Sequence, residues 1–341
     1  MKAYYKKYDL LFKQPAGTSR GVLKKRPVWL LFIEKNGITG IGECAPLPGL
    51  SKETPADVEK LLVKLCSNPA TFQQNIDLLA EFPSVKLALE TALLDLKNGG
   101  KQLIFPSAFS AGKAGIKING LIWMGEIAHM QQQIHEKLQA GFSCIKLKIG
   151  AKSFKEELSL LAAIRKQFSS DKIMLRVDAN GAFKTGEASD KLQELAEFDI
   201  HSIEQPIAAE QWKEMARLCQ TTPLPIALDE ELIGINTPDD KKRLLDTIQP
   251  QFLVLKPSLH GGISGCNEWI ELANERAIGW WITSYLESNI GLNAIAQWAF
   301  TKQSALHQGL GTGQLFTNNF ASPLEIRGEK LWYNPSKYFE I

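Results

Sequence analysis

Apolar runs recur through the second half of the chain, and each gives way to a polar side chain at its C-terminal end. CIKLKIG carries Lys148, IMLRVDAN carries Asp178, HSIEQP carries Glu204, PIALDE carries Asp229, FLVLKPS carries Lys256 and WWITSYLES carries Ser284. The intervals between these residues are 30, 26, 25, 27 and 28 positions. A strand, a loop and a helix together take about 25–35 residues, so each interval predicts one βα unit. Between the runs lie helical faces such as Leu158/Leu161/Ile164. Seven or eight such units in a row from Ile116 predict a closed α/β barrel over an open doubly wound sheet. No Gly-x-Gly-x-x-Gly follows an early strand, which also weighs against a dinucleotide fold. The C-terminal ends of parallel barrel strands share one rim, so the six polar residues are predicted to face one mouth.

The first hundred residues follow another rhythm. Residues 28–34 read as a strand, Asn36-Gly37 as a hairpin turn, and 38–45 as the returning strand. APLPGLSKETP reads as an ordered loop. Thr54 followed by Pro55 is an N-cap and first-turn proline, opening a helix to about Leu65. A second helix is predicted over 84–98, with Val85, Leu89, Ala92, Leu93 and Leu96 on one face. The predicted division is an α+β lobe over 1–115, a barrel over 116–315, and a segment over 316–341 that packs back on the lobe. At 341 residues the chain has room for a barrel and one smaller domain.

Composition narrows the partners. The formal charge of +2 and the lack of any basic block beyond Lys24-Lys25-Arg26 argue against nucleic acid or an anionic membrane. No apolar stretch approaches the ~20 residues of a membrane span, and the N-terminus lacks the apolar core of a signal peptide. Five scattered cysteines without a Cys-x-x-Cys pair predict reduced thiols in a cytoplasmic protein. Nothing in these features fixes or excludes a homo-oligomer.

Lys146 and Lys148 lie two apart in a strand and share a face. Mutual repulsion and desolvation predict that at least one of their pKa values falls, which suits a general base. The plain alternative is a salt-bridged pair at a strand end. Asp178, Glu204 and Asp229 supply three carboxylates from successive strands. Oxygen ligands without histidine favour Mg²⁺, with Mn²⁺ as the alternative. Here the plain alternative is that each acid caps a helix or pairs with a lysine. Glu230 and Glu231 adjoin Asp229, whose strand position favours it as the ligand, and Asn180 is placed to orient a substrate or metal-bound water. Lys256, on the sixth strand, faces Lys146 and Lys148 across a closed ring. Cations on both sides of a metal-bound small-molecule carboxylate suit abstraction of its α-proton. The five histidines show no metal-ligand spacing, and His260 and His307 fall near the predicted rim.

With these residues placed, the chain resembles the enolase superfamily, in its muconate-lactonizing-enzyme subgroup. The resemblance rests on Lys-x-Lys in IKLKIG, acids in VDAN, IEQP and LDE, and lysine in LKPS, over about 116–315, with GIGECAPLPGLS matching the capping domain. It implies a modified TIM barrel, (β/α)₇β, with an N-terminal α+β capping domain and Mg²⁺ at the rim. Within the subgroup, GTSRGVLKKRPVWLL, ITSYLESNIGLNA and HQGLGTGQLFTNN resemble the o-succinylbenzoate synthase family. That implies a lyase of menaquinone biosynthesis, dehydrating 2-succinyl-6-hydroxy-2,4-cyclohexadiene-1-carboxylate. Lys148 would take the α-proton and return it to the leaving hydroxide, Lys256 would stabilise the enediolate, and Lys146 would tune Lys148. Dipeptide epimerases of the subgroup carry Asp-x-Asp where this chain has Gly309-Leu310-Gly311. Ser284, Gly311 and Thr312 are instead expected to offer neutral donors to a succinyl carboxylate. The alternatives are an N-acylamino acid racemase or dipeptide epimerase with Lys148 and Lys256 as opposed bases. An anion-binding barrel without chemistry, or a metal-dependent hydrolase, fits the residues less well.

Overall fold

The structure is a computed structural model and describes residues 1–18, 21–123, 126–151 and 153–340. Ser19 and Arg20 of the GTSRG segment lie outside the described residues. The chain opens with β1 (Lys2–Thr18), which pairs antiparallel with β2 (Gly21–Lys35), and β2 pairs with β3 (Ile38–Cys44). The turn between β2 and β3 is Asn36-Gly37, with φ of 53° and 78°, the left-handed pair that a tight hairpin turn requires.

Alternate residues of β2 (Trp29, Leu31, Ile33) bury against two helices, α1 (Pro55–Ser67) and α3 (Pro83–Lys97). The short α2 (Pro69–Gln74) lies between them in sequence. Thr54 caps α1 by accepting from the Asp57 N–H at 3.2 Å. Helix α3 lies so close to β3 that a Cβ at Gly42 would stand 1.9 Å from the Ala88 carbonyl oxygen. Glycine is what allows that approach.

The barrel strands and helices then alternate. β4 (Ile116–Lys117) and β5 (Gly120–Ile122) precede α4 (Ile127–Gln139), β6 (Cys144–Lys148), α5 (Phe154–Gln167), β7 (Met174–Asp178) and α6 (Thr185–Ala196). There follow β8 (Ser202–Glu204), α7 (Trp212–Thr221), β9 (Ile226–Leu228), α8 (Pro238–Ile248), β10 (Phe252–Leu255), α9 (Gly262–Glu275), β11 (Gly279–Ile282) and α10 (Asn289–Thr301). Strands β5 to β11 form one parallel sheet in sequence order. An eighth position closes it, because Gln308 bridges Ile118 and Gly309 bridges Thr283. Residues Ile145, Leu147 and Ile149 point outward into the apolar layer beneath the helices.

After α10 come β12 (Leu324–Arg327) and β13 (Lys330–Tyr333), paired with each other. The apolar run from Ile116 is divided between two sheets. Lys117 and Ile116 pair antiparallel with β13, and only Gly120–Ile122 joins the barrel. Residues 315–317 run back along β1, with Phe12 and Phe316 rings 4.6 Å apart. Two acids of the N-terminal lobe reach the barrel: buried Glu43 meets the start of α10, and half-buried Glu90 accepts from Ile263 and Ser264 N–H at the start of α9. No helix among the described residues is long and apolar enough to cross a membrane.

Candidate active site

Parallel pairing sets the register of the mouth. Lys148 of β6 is level with Asp178 of β7, and Asp178 is level with Glu204 of β8. All three face inward at the C-terminal rim, because side chains alternate along a strand. Lys146 lies one pleat deeper. Its ammonium is 2.9 Å from Asp178 Oδ2 and also bonds Glu204 Oε2. Lys148 Nζ contacts Asp178 Oδ2 at 2.9 Å and Asn180 Oδ1 at 2.7 Å. Lys256, just past β10, donates to Asp229 Oδ2. Lys146, Lys148 and Lys256 line one cavity together with Asp178, Asn180 and Glu230.

The plain alternative for the acids, pairing with lysines, is therefore what the structure displays, and among the described residues no three acidic, histidine or cysteine side chains converge as a ready-made metal cage. Two carboxylate oxygens remain unmatched: Glu204 Oε1 and Asp229 Oδ1 are buried without a hydrogen-bond partner. A buried anionic oxygen without a partner is costly, so this donor set suits a cation. Hard oxygen donors from three strands fit a divalent ion of the Mg²⁺ type.

Electrostatics bear on the expectation for the lysine pair. Burial works against the Lys146 ammonium, but Asp178 and Glu204 outweigh it and raise its pKa. Burial likewise opposes the Lys256 charge, and Asp229, Glu204 and Glu230 raise its pKa further. Of the Lys146/Lys148 pair for which a fall was predicted, Lys146 thus shows a rise instead, because facing carboxylates outweigh both repulsion and desolvation. Asp178 is buried, yet Lys146, Lys148 and Lys256 hold its carboxyl below the ordinary range. Glu204 is pushed up to about 8, first by burial and then by Asp178 and Asp229.

The far side of the cavity is neutral. Ser284 Oγ lies 3.1 Å from the Gly309 carbonyl and 2.7 Å from Thr312 Oγ1. Gly311 and Thr312 line the same wall. A Cβ at Gly309 would stand 2.5 Å from Thr283 Oγ1, so no side chain fits there without a shift. The roof is apolar, from Leu23, Leu47, Pro48 and Leu50 of the first lobe and Trp123 of the barrel.

One site relation escaped the sequence reading, and two histidines expected near the rim do not line the cavity. Glu230 accepts from Asn180 Nδ2 at 3.1 Å, across 50 positions of sequence. Buried His260 accepts the Lys256 N–H at 3.0 Å through Nδ1 and does not line the cavity. His307 lies away from the mouth, beside Ser143 and Glu329. The acid cluster LDEE could have pointed to Glu230, but nothing local singles out its partner.

Comparison with known proteins follows the same lines. The profile "Enolase C-terminal domain-like" matches residues 129–333, and "MenC, N-terminal domain" matches residues 2–96. An o-succinylbenzoate synthase of Desulfotalea psychrophila is 47% identical across 96% of this chain and 98% of its own length. The crystal structure of MenC from that organism superposes with a TM-score of 0.88 at 43% identity, covering 97% of this chain and 99% of that one. The o-succinylbenzoate synthase of Thermosynechococcus elongatus, complexed with Mg in its active site, gives a TM-score of 0.76 at 26% identity, covering 91% and 92%.

Proposed function

Because the chain belongs to the enolase superfamily, in its o-succinylbenzoate synthase family, we propose that it dehydrates 2-succinyl-6-hydroxy-2,4-cyclohexadiene-1-carboxylate to o-succinylbenzoate by syn elimination. Asp178, Glu204 and Asp229 would hold Mg²⁺, the ion in the active site of the Thermosynechococcus elongatus relative. That ion would neutralise the substrate carboxylate and so make the adjacent C–H more acidic.

Lys148 takes the α-proton, and the C–H electron pair moves into the carboxylate as an enediolate. Lys256, protonated and opposite, stabilises that charge. The pair then returns to the ring as the neighbouring C–O bond breaks. Lys148 gives its proton to the departing hydroxide, so water leaves and the ring becomes aromatic. Lys146, held between Asp178 and Glu204, fixes the acids around Lys148. Aromatisation lowers the catalytic demand.

The observation that carries this reading is the cluster of three lysines with Asp178, Glu204 and Asp229 at the barrel mouth, Asp178 and Glu204 level with each other, beside a cavity whose opposite wall is neutral. A dipeptide brings an ammonium that needs an acid at the eighth position, and Gly309 has no room for one. Ser284, Gly311 and Thr312 suit a succinyl carboxylate instead. We assign the reaction to menaquinone biosynthesis in the cytoplasm. The test is to follow o-succinylbenzoate formation by purified protein with Mg²⁺, beside solvent-deuterium exchange into dipeptides and N-succinylamino acids. Rapid product formation with exchange into dipeptides slower by orders of magnitude is expected. Equal or better efficiency on a dipeptide or N-acylamino acid would overturn the assignment.

A further inference from the structure

We infer that Glu230 is a positioning residue for proton transfer, locking the Asn180 carboxamide so that Oδ1 and not Nδ2 faces Lys148. The inference rests on Lys148 acting as the base in the reaction proposed above. An amine has two N–H hydrogens and one lone pair. At Lys148 two acceptors lie within reach, Asp178 Oδ2 at 2.9 Å and Asn180 Oδ1 at 2.7 Å. With both hydrogens engaged there, the lone pair is left for the cavity, which Lys148 lines.

Asn180 performs this task in only one of its two amide orientations. Oxygen and nitrogen of a carboxamide are nearly equal in size, so only hydrogen bonding distinguishes the two. In the reverse orientation Nδ2 would donate to the amine and occupy the lone pair that must receive the substrate proton. The backbone does not prevent this. It is itself pinned, with Asn180 at φ 44° in the left-handed region and its N–H donating to Asp178 Oδ1 at 3.0 Å. That leaves the amide rotation.

Glu230 settles that rotation. Its Oε1 accepts from Asn180 Nδ2 at 3.1 Å. A carboxylate offers only acceptors, so a flipped amide would set two oxygens against each other. Glu230 is buried on the short 3₁₀ turn Glu230–Leu232 that follows β9, which presents it across the mouth toward β7. The three acids of LDEE thereby separate by partner. Asp229 meets Lys256, Glu230 meets Asn180, and Glu231 accepts from the Glu210 N–H and Gln205.

The test compares Glu230→Met, which has no acceptor oxygen at this point, with Glu230→Gln, which keeps one. For the Met variant we expect kcat to fall by about 10–100-fold with KM within about twofold, since orientation and not binding is lost. The kinetic isotope effect on substrate deuterated at the carbon that loses its proton should grow. Mn²⁺ affinity, measured by electron paramagnetic resonance, should stay as in the unmodified protein. Glu230→Gln should lose less than about fivefold, and adding Asn180→Asp to the Met variant should recover part of kcat, because both carboxylate oxygens accept. Glu230→Ala replaces the Met variant should that protein not fold. A Met or Ala variant with near-normal kcat overturns the inference. So do equal losses in the Gln and Met variants with weakened Mn²⁺ binding, which would mark a charge at the metal site. No o-succinylbenzoate from the unmodified protein would instead count against the reaction itself.

Discussion

The carboxylate of Glu43, near the end of β3, is bound by the Ser288 N–H at 2.8 Å and by the Ser288 hydroxyl at the start of α10. It also accepts the Gly291 N–H at 2.8 Å. An acid of the first lobe thus satisfies the orphan donors of a barrel helix, and its charge complements the helix dipole.

Replacing Glu43 with Ala should destabilise the protein by about 2–5 kcal/mol, because buried donors at Ser288 and Gly291 lose their acceptor. Urea unfolding measures this. A change below about 0.5 kcal/mol would show that water replaces the carboxylate without penalty.

The lysines should separate by role. Lys148→Ala is expected to lose about 10²–10⁴-fold in kcat, since it removes the proposed proton acceptor. Lys256→Ala should be impaired through loss of charge stabilisation, with residual exchange of the α-proton detectable by mass spectrometry in D₂O. Near-normal turnover by Lys148→Ala would refute its assignment.

Chelation should abolish turnover, and Mg²⁺ or Mn²⁺ should restore it. Asp178→Asn, Glu204→Gln and Asp229→Asn should each remove most activity while unfolding remains cooperative. Full activity in EDTA without added metal would exclude the proposed ion.

Stability should carry the signature of Glu53. Burial raises its carboxyl from 4.5 to about 7, with the Ser84 hydrogen bonds holding it back. The folded state therefore binds this proton more tightly than the unfolded chain does. The contribution to stability is complete below about pH 4.5 and is lost as pH rises to about 7. Glu53→Gln should flatten that decline, by roughly 1–3 kcal/mol across the window. Urea midpoints of the two proteins at pH 5 and 7.5 test it, and identical slopes would place Glu53 outside the titration.

Gly309 and Gly311 should respond differently to an introduced acid. Gly311→Asp meets only ordinary van der Waals contact, its Cβ lying 3.6 Å from Ile118 Cδ1, and should fold normally. Gly309→Asp meets Thr283 and should lower the melting temperature by several degrees. Equal melting temperatures would show that the β11 end yields easily.

The barrel was legible because its signal is periodic: a polar residue after each apolar run marks the rim without knowledge of contacts. The two-sided burial of β10 (Leu253, Val254, Leu255) appears as a continuous apolar run. The long strand β1 was not, since it is an edge strand whose residues, such as Tyr4 and Leu11, stay largely exposed and leave no clean alternation. The division of the run at Ile116 depends on β13, more than two hundred positions away. Among the site residues, strand-end positions were readable and pairwise relations were not. The raised Lys146 pKa illustrates this: its closeness to another lysine is visible in the sequence, whereas the acids that outweigh repulsion come from other strands.

The eighth position that closes the barrel is a seam, not a full stave. Four backbone hydrogen bonds join residues 308–309 to Lys117, Asn119, Ile282 and Ser284, whereas β10 and β11 zip along four consecutive residues. Ser284, Gly309, Gly311 and Thr312 all sit at this seam, while the lysines and acids stand on the ladders of β6 to β10 and the residues just beyond them. Local stability tracks the density of such bonds. The residues proposed to bind the succinyl tail are thus lodged in a thinly bonded part of the ring. Substitutions at this seam can therefore alter the proposed contact with the succinyl tail while Lys148, Asp178 and Glu204 keep their register.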